Sequence, residues 1–128
     1  MTREVRSDAP TILVVDDETM VRVSTARMLE RRGFHALTAA TPLDALDILR
    51  GDAPVALLIS DIVMPGMYGT ELILHARALR PGLRVLLISG FADQQNARHG
   101  PIPEDVPFLA KPFDLADLLG KVQDLLSD

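Results

Sequence analysis

Asp16 and Asp17 follow the first apolar run of the chain, Asp61 follows a later one, and Lys111-Pro112 follows the last. Gathered in one place, three carboxylates and an ammonium make a site for a divalent cation and a phosphoryl group. Carboxylates that face one another repel unless a cation sits between them. Mg2+ suits such a set best, being a hard ion that takes oxygen ligands and keeps several of its waters. One oxygen of Asp61 can then coordinate the ion while the other attacks phosphorus, a covalent strategy that yields an aspartyl phosphate. Lys111 and Ser89 would hold the phosphoryl oxygens, one by charge and one by a hydrogen bond. The cation and Lys111 together offset the charge that shifts during transfer.

These residues lie far apart in sequence, so the elements between them must bring them together. Ile12-Leu13-Val14-Val15 is a short apolar, β-branched run that reads as a strand buried on both faces. Helical spacing over residues 19–32 puts Val21, Met28 and Leu29 on one stripe with Thr25 between them, and Gly33 stops the helix. Residues 34–38 read as a second strand. Thr41 caps the next helix, Pro42 suits its first position, Asp44 favours its positive end, and it closes near Arg50-Gly51. Residues 55–60 and 84–89 are further buried strands, separated by the loop 64–69 and a helix over about 70–79. Residues 91–98 allow two helical turns at most, because Pro101, Pro103 and Pro107 follow. Phe108-Leu109-Ala110 is a short fifth strand. Asp114 then caps a helix striped by Leu115, Leu118, Leu119, Val122, Leu125 and Leu126. The order is (βα)5 with a short or irregular fourth helix. It predicts an α/β fold with a parallel sheet covered on both faces and right-handed crossovers. Ligands of such sheets bind beyond the carboxyl ends of the strands, where Asp16, Asp17, Asp61, Ser89 and Lys111 all fall.

Composition narrows the function classes. A chain of 128 residues suits one domain, here a polar lead-in over 1–10 and a domain over 11–128. Its apolar content of 48% with four Phe, one Tyr and no Trp implies an aliphatic core. The lack of cysteine excludes disulfides, thiolate metal sites and cysteine nucleophiles, and fits a reducing compartment. A net charge of −5 without a basic face argues against nucleic acid as the main partner. No apolar run approaches the roughly 20 residues that span a bilayer, and the first ten residues lack a signal peptide's apolar stretch. The expectation is a soluble, cytoplasmic domain.

Val14-Val15-Asp16-Asp17, the run from Asp61 through Met64-Pro65-Gly66, Ser89-Gly90-Phe91 and Lys111-Pro112-Phe113 together resemble the receiver domain of two-component response regulators, over about residues 11–126. The resemblance implies a doubly wound, flavodoxin-like five-stranded sheet of order 2-1-3-4-5. It implies that Asp61 is the phosphoacceptor, taking its phosphoryl group from the phosphohistidine of a histidine kinase or a histidine phosphotransfer protein. Asp17 matches the direct Mg2+ ligand, Asp16 the ligand that acts through water, and the backbone carbonyl of Val63 the remaining protein ligand. Ser89 matches the hydroxyl that follows the phosphoryl group, Lys111 the phosphate-binding lysine, and Phe108 the aromatic that switches rotamer with Ser89. A cis peptide precedes the proline that matches Pro112. The implied protein is a signalling switch rather than a turnover enzyme. It acts through protein contacts, with no DNA-binding output domain in this chain.

Each residue also has an ordinary structural explanation. Asp16-Asp17 makes a turn and helix cap, Ser89 a loop hydroxyl, Lys111 a surface charge, and Phe108 a core side chain. The shared position of Asp16, Asp17, Ser89 and Lys111 at strand ends favours the site, whereas for Phe108 core packing and switching weigh about equally. His35, His75 and His99 lie on different elements without metal-ligand spacing, and Met64, Met67 and Tyr68 read as packing beside Asp61. Val63 and Phe91 occupy the two flanking positions that tune phosphoryl loss in the family, and neither can orient a water. Slow self-dephosphorylation is the expectation. The three prolines of residues 100–107 loosen the usual dimerisation face, and the Ser89 and Lys111 motifs look most like receivers of hybrid histidine kinases or free-standing ones. The rivals are a binding-only module of the same fold, an aspartyl-phosphate phosphatase and a flavin-binding protein. The intact Asp61, Ser89 and Lys111 weigh against the first. The phosphatase would carry a second Asp where Val63 stands, and the flavin protein a hydroxyl-rich loop after the first strand.

Overall fold

All five expected strands form in the computed structural model, which describes residues 9–90 and 102–127. In chain order the elements are β1 (Thr11–Val15), α1 (Thr19–Arg31), β2 (His35–Ala39), α2 (Pro42–Arg50), β3 (Val55–Asp61), α3 (Gly69–Leu79), β4 (Arg84–Ser89), β5 (Phe108–Ala110) and α4 (Leu115–Leu126). The strands make one parallel sheet of order β2-β1-β3-β4-β5. The strand order reverses between β1 and β3, so the switch point lies where Asp16, Asp17 and Asp61 leave the sheet. The expected fourth helix and Phe91 lie outside the described residues.

Burial on both faces explains the unbroken apolar runs. Leu13 and Val15 join Leu46, Leu49, Leu58, Leu72, Ile73 and Leu87 in one core layer, under α2 and α3. Ile12 and Val14 join Leu29, Leu57, Ile59, Leu86, Leu118 and Val122 in the other, under α1 and α4. Each Leu or Ile buried this completely stabilises the fold by about 1.5–3 kcal/mol. The two layers grip the central strands from both sides and hold their carboxyl ends in fixed register.

Local signals set the helix ends. The Thr41 hydroxyl accepts the Asp44 N–H at 3.1 Å with Pro42 in the first turn of α2, as the sequence predicts. Asp114 and Asp117 cap α4 reciprocally, each side chain accepting the other's backbone N–H. Several boundaries differ by a residue, and β2 is one case, running from His35 to Ala39 rather than over 34–38. Gly33, at φ 93°, closes α1 in the left-handed conformation. Its N–H donates to the Glu30 carbonyl and that of Phe34 to the Leu29 carbonyl. Phe34 therefore belongs to the helix-ending turn and packs beside the α1–α4 core instead of extending the strand. In α1, Thr25, Ala26 and Leu29 are the buried residues, with Val21 and Met28 half-buried beside them.

Candidate functional site

The first acid is held by the sheet edge and by the turn that leads into α1. Asp16 donates its N–H to the Ala39 carbonyl at 3.3 Å, which carries the β1–β2 pairing one residue past the strand. Its Oδ1 accepts the Glu18 N–H at 2.9 Å, and its carbonyl accepts from Arg22 Nη1 at 2.8 Å. Asp16 is therefore the turn-former that an acid after a strand ordinarily is, while its side chain also reaches the neighbouring carboxylates. Asp17 next to it is exposed.

Asp61 is the last residue of β3, opposite Ile88 in the ladder and 7% exposed. The single N–H of Ile62 is shared between Asp61 Oδ1 at 2.9 Å and the Ile88 carbonyl at 3.1 Å. The ladder between β4 and β5 delivers the remaining pair. Lys111 donates its N–H to the Ser89 carbonyl at 2.8 Å, and its ammonium lies 3.4 Å from Asp61 Oδ2. Ser89 is 2% exposed at the end of β4. The Lys111–Pro112 peptide is cis. Phe108, at the start of β5 opposite Leu87, is 49% exposed and so is not the core side chain that its type suggested.

Carboxylate oxygens of Asp16, Asp17 and Asp61 lie within 4.8 Å of one another. Two oxygens on opposite sides of one Mg2+ stand about 4.2 Å apart, twice a bond of about 2.1 Å. The cluster is thus of the right size for a shared ion. The donor set is all oxygen, as a hard cation requires. Burial pushes the Asp16 carboxyl above the ordinary aspartate value of 3.8, and the charges of Asp17 and Glu18 add to this. The Glu18 N–H and the Lys111 ammonium act in the opposite sense. A buried acid raised in this way gains most from a cation.

Two residues at the site carry no obvious chemical signal in the sequence. Arg22 is one, since an arginine in a helix reads as a solvated charge. The other is Gly69, the first residue of α3. A Cβ there would lie 2.2 Å from the Asp61 carbonyl oxygen, and the Gly69 N–H donates to the Ile62 carbonyl at 2.6 Å. Only glycine lets the helix start press so closely on the strand that carries Asp61. The glycine-punctuated loop 64–69 was the available clue. Val63, Met64, Pro65, Gly66, Met67, Tyr68 and Glu71 line a cleft with Asp17. Another cleft, at the amino ends of β1 and β2, includes Glu30 and His35 and lies at the opposite edge of the sheet. His75 sits on α3, away from His35, and His99 is outside the described residues. Among the described residues no helix is long and apolar enough to cross a membrane.

Comparison with known proteins agrees with this arrangement. A sensor kinase, CckA of Brucella abortus (strain 2308), is 36% identical over 121 residues, covering 94% of this chain but only 13% of the kinase. The response regulator receiver protein CpdR of the same organism is 34% identical over 115 residues, 90% of this chain and 95% of that protein. The crystal structure of a CheY-like response regulator receiver domain protein from Methanospirillum hungatei JF-1 superposes with a TM-score of 0.81 at 33% identity, covering 93% of this chain and 94% of that one. The family model described as response regulator receiver domain matches residues 12–123, from β1 into α4. On that match the chain belongs to the response regulator receiver domain family.

Proposed function

We propose that Asp61 accepts a phosphoryl group from the phosphohistidine of a histidine kinase or a histidine phosphotransfer protein, and that the phosphorylated chain signals through protein contacts. Receiver domains are the phosphorylatable signalling switches of two-component systems. The observation that carries the finer reading is the carboxylate cluster of Asp16, Asp17 and Asp61 with the Lys111 ammonium 3.4 Å from Asp61.

In the proposed reaction an Asp61 carboxylate oxygen forms the new bond to phosphorus. The bond from phosphorus to the donor imidazole nitrogen breaks, and its electron pair stays on that nitrogen. Lys111 moves from its ion pair with Asp61 to the phosphoryl oxygens, and the Ser89 hydroxyl donates to another of them. Asp17, Asp61 and the Val63 carbonyl would hold Mg2+ directly, and Asp16 through water. The bound ion supplies charge neutralisation between the acids and the incoming phosphoryl group. Phe108, half exposed on the edge strand, has the space to change rotamer when Ser89 engages phosphate. Val63 beside Asp61 cannot orient a water, which supports slow loss of the phosphoryl group.

The test is intact-protein mass after incubation with acetyl phosphate and Mg2+, beside an Asp61→Ala variant. One added phosphoryl group that requires the metal and is missing from the variant is the expected result. If neither acetyl phosphate nor a phosphorylated histidine kinase adds mass to the folded chain, a binding-only module replaces this reading. After donor removal, the wild-type adduct should decay no faster than that of Val63→Asn.

A further inference from the structure

We propose that Arg22 is a positioning residue for the Mg2+ site, acting on the metal through the backbone of Asp16. The inference rests on the proposed function above and deepens it. Asp16 is held at three points, its N–H on Ala39, its Oδ1 on the Glu18 N–H, and its carbonyl on Arg22. The first two are backbone contacts that any residue at 39 or 18 supplies, save a proline at 18. The third depends on one side chain reaching back from α1.

The Asp16 carbonyl belongs to the peptide that joins the two acids. Pinning it at 2.8 Å fixes the plane from which both side chains leave the chain. Arg22 as a residue is half-buried, and its other terminal nitrogen stands, in an exposed contact, 3.5 Å from Thr19 Oγ1 in the first turn of α1. The planar fork thus braces the turn against the helix with little freedom to lose on binding. Groups that orient a metal's ligands, without touching the ion, commonly control its affinity.

A guanidinium beside an acidic cluster also repels an incoming cation, and the two effects have opposite signs. Were repulsion dominant, removing Arg22 would tighten Mg2+ binding. With positioning dominant, removal weakens it.

Calorimetric titration of Mg2+ into the full chain decides between them, using wild type, Arg22→Met and Arg22→Gln, with far-UV circular dichroism to confirm folding. Affinity should fall by about tenfold in either variant. The Mg2+ concentration for half-maximal phosphorylation by acetyl phosphate should rise, while the rate at saturating Mg2+ stays near that of wild type. Unchanged or tighter binding in folded Arg22 variants overturns the inference alone. A wild-type chain that binds no Mg2+ overturns the proposed function and this inference with it.

Discussion

Asp16 combines a buried carboxylate with a turn-forming role, and the combination has a cost in the metal-free protein. Its folded-state pKa lies above the ordinary value of 3.8, chiefly through burial. Between the unfolded and folded pKa values the native state holds the extra proton. The contribution of this group to stability is therefore complete below the unfolded pKa and is lost as pH rises through the folded one. In a chelator, Asp16→Asn should unfold at higher urea concentration than wild type at neutral pH, because no charge is then buried. The gap should narrow as the medium is acidified. Urea midpoints for the two proteins across the acid range check this, and a gap that widens towards acid would contradict the sign. The Lys111 ammonium stands 3.4 Å from Asp61 Oδ2.

At the scale of elements, two contacts of α3 separate holding the fold from holding the site. At its start, Gly69 lies against the Asp61 carbonyl, so Gly69→Ala must displace either the helix or the strand end. At its far end, Arg80 donates to the carbonyls of Leu49 at 3.0 Å, Gly51 at 2.8 Å and Ala53, gathering the carboxyl terminus of α2 and the turn into β3. A cation there also meets the negative end of the α2 dipole. Arg80→Met should lower stability by about 1.5–3 kcal/mol, and Gly69→Ala by a similar amount, about 1–3 kcal/mol. Only Gly69→Ala should slow acetyl phosphate transfer per folded molecule, since only it presses on the strand end that carries Asp61. Denaturant titration paired with phosphorylation rates makes the comparison, and equal rates in the two variants would dissociate Gly69 from the site.

For the molecule as a whole, the sheet is the device that couples distant residues, and a shared ion should stabilise it measurably. Free Mg2+ at a hundred times its dissociation constant should add about 2.7 kcal/mol to unfolding stability. Asp17 is exposed, so Asp17→Asn should leave the metal-free midpoint nearly unchanged while abolishing most of the Mg2+ increment. Thermal or urea unfolding with and without Mg2+ reads both quantities. An increment that survives in the variant would remove Asp17 from the ligand set.

Much of this protein is written in short-range signals. The β-branched runs at 12–15, 55–60 and 84–89 specify buried strands, because each strand needs apolar residues on both faces. Thr41-Pro42 and Asp114 specify helix starts, because a cap acts over only three residues. The acids at 16, 17 and 61, the hydroxyl at 89 and the ammonium at 111 are legible as chemistry from their places after those strands. The tertiary structure alone decides the rest. The β3–β4–β5 register sets the Lys111–Asp61 spacing, and it depends on pairing between segments that no local signal relates. The roles of Arg22 and Gly69 come from contacts with backbone atoms, which leave no pattern in side-chain type. The exposure of Phe108 follows from its place on an edge strand, and Phe34 leaves β2 because the turn that ends α1 claims it. Propensity and capping act along the chain, whereas the site is made across it.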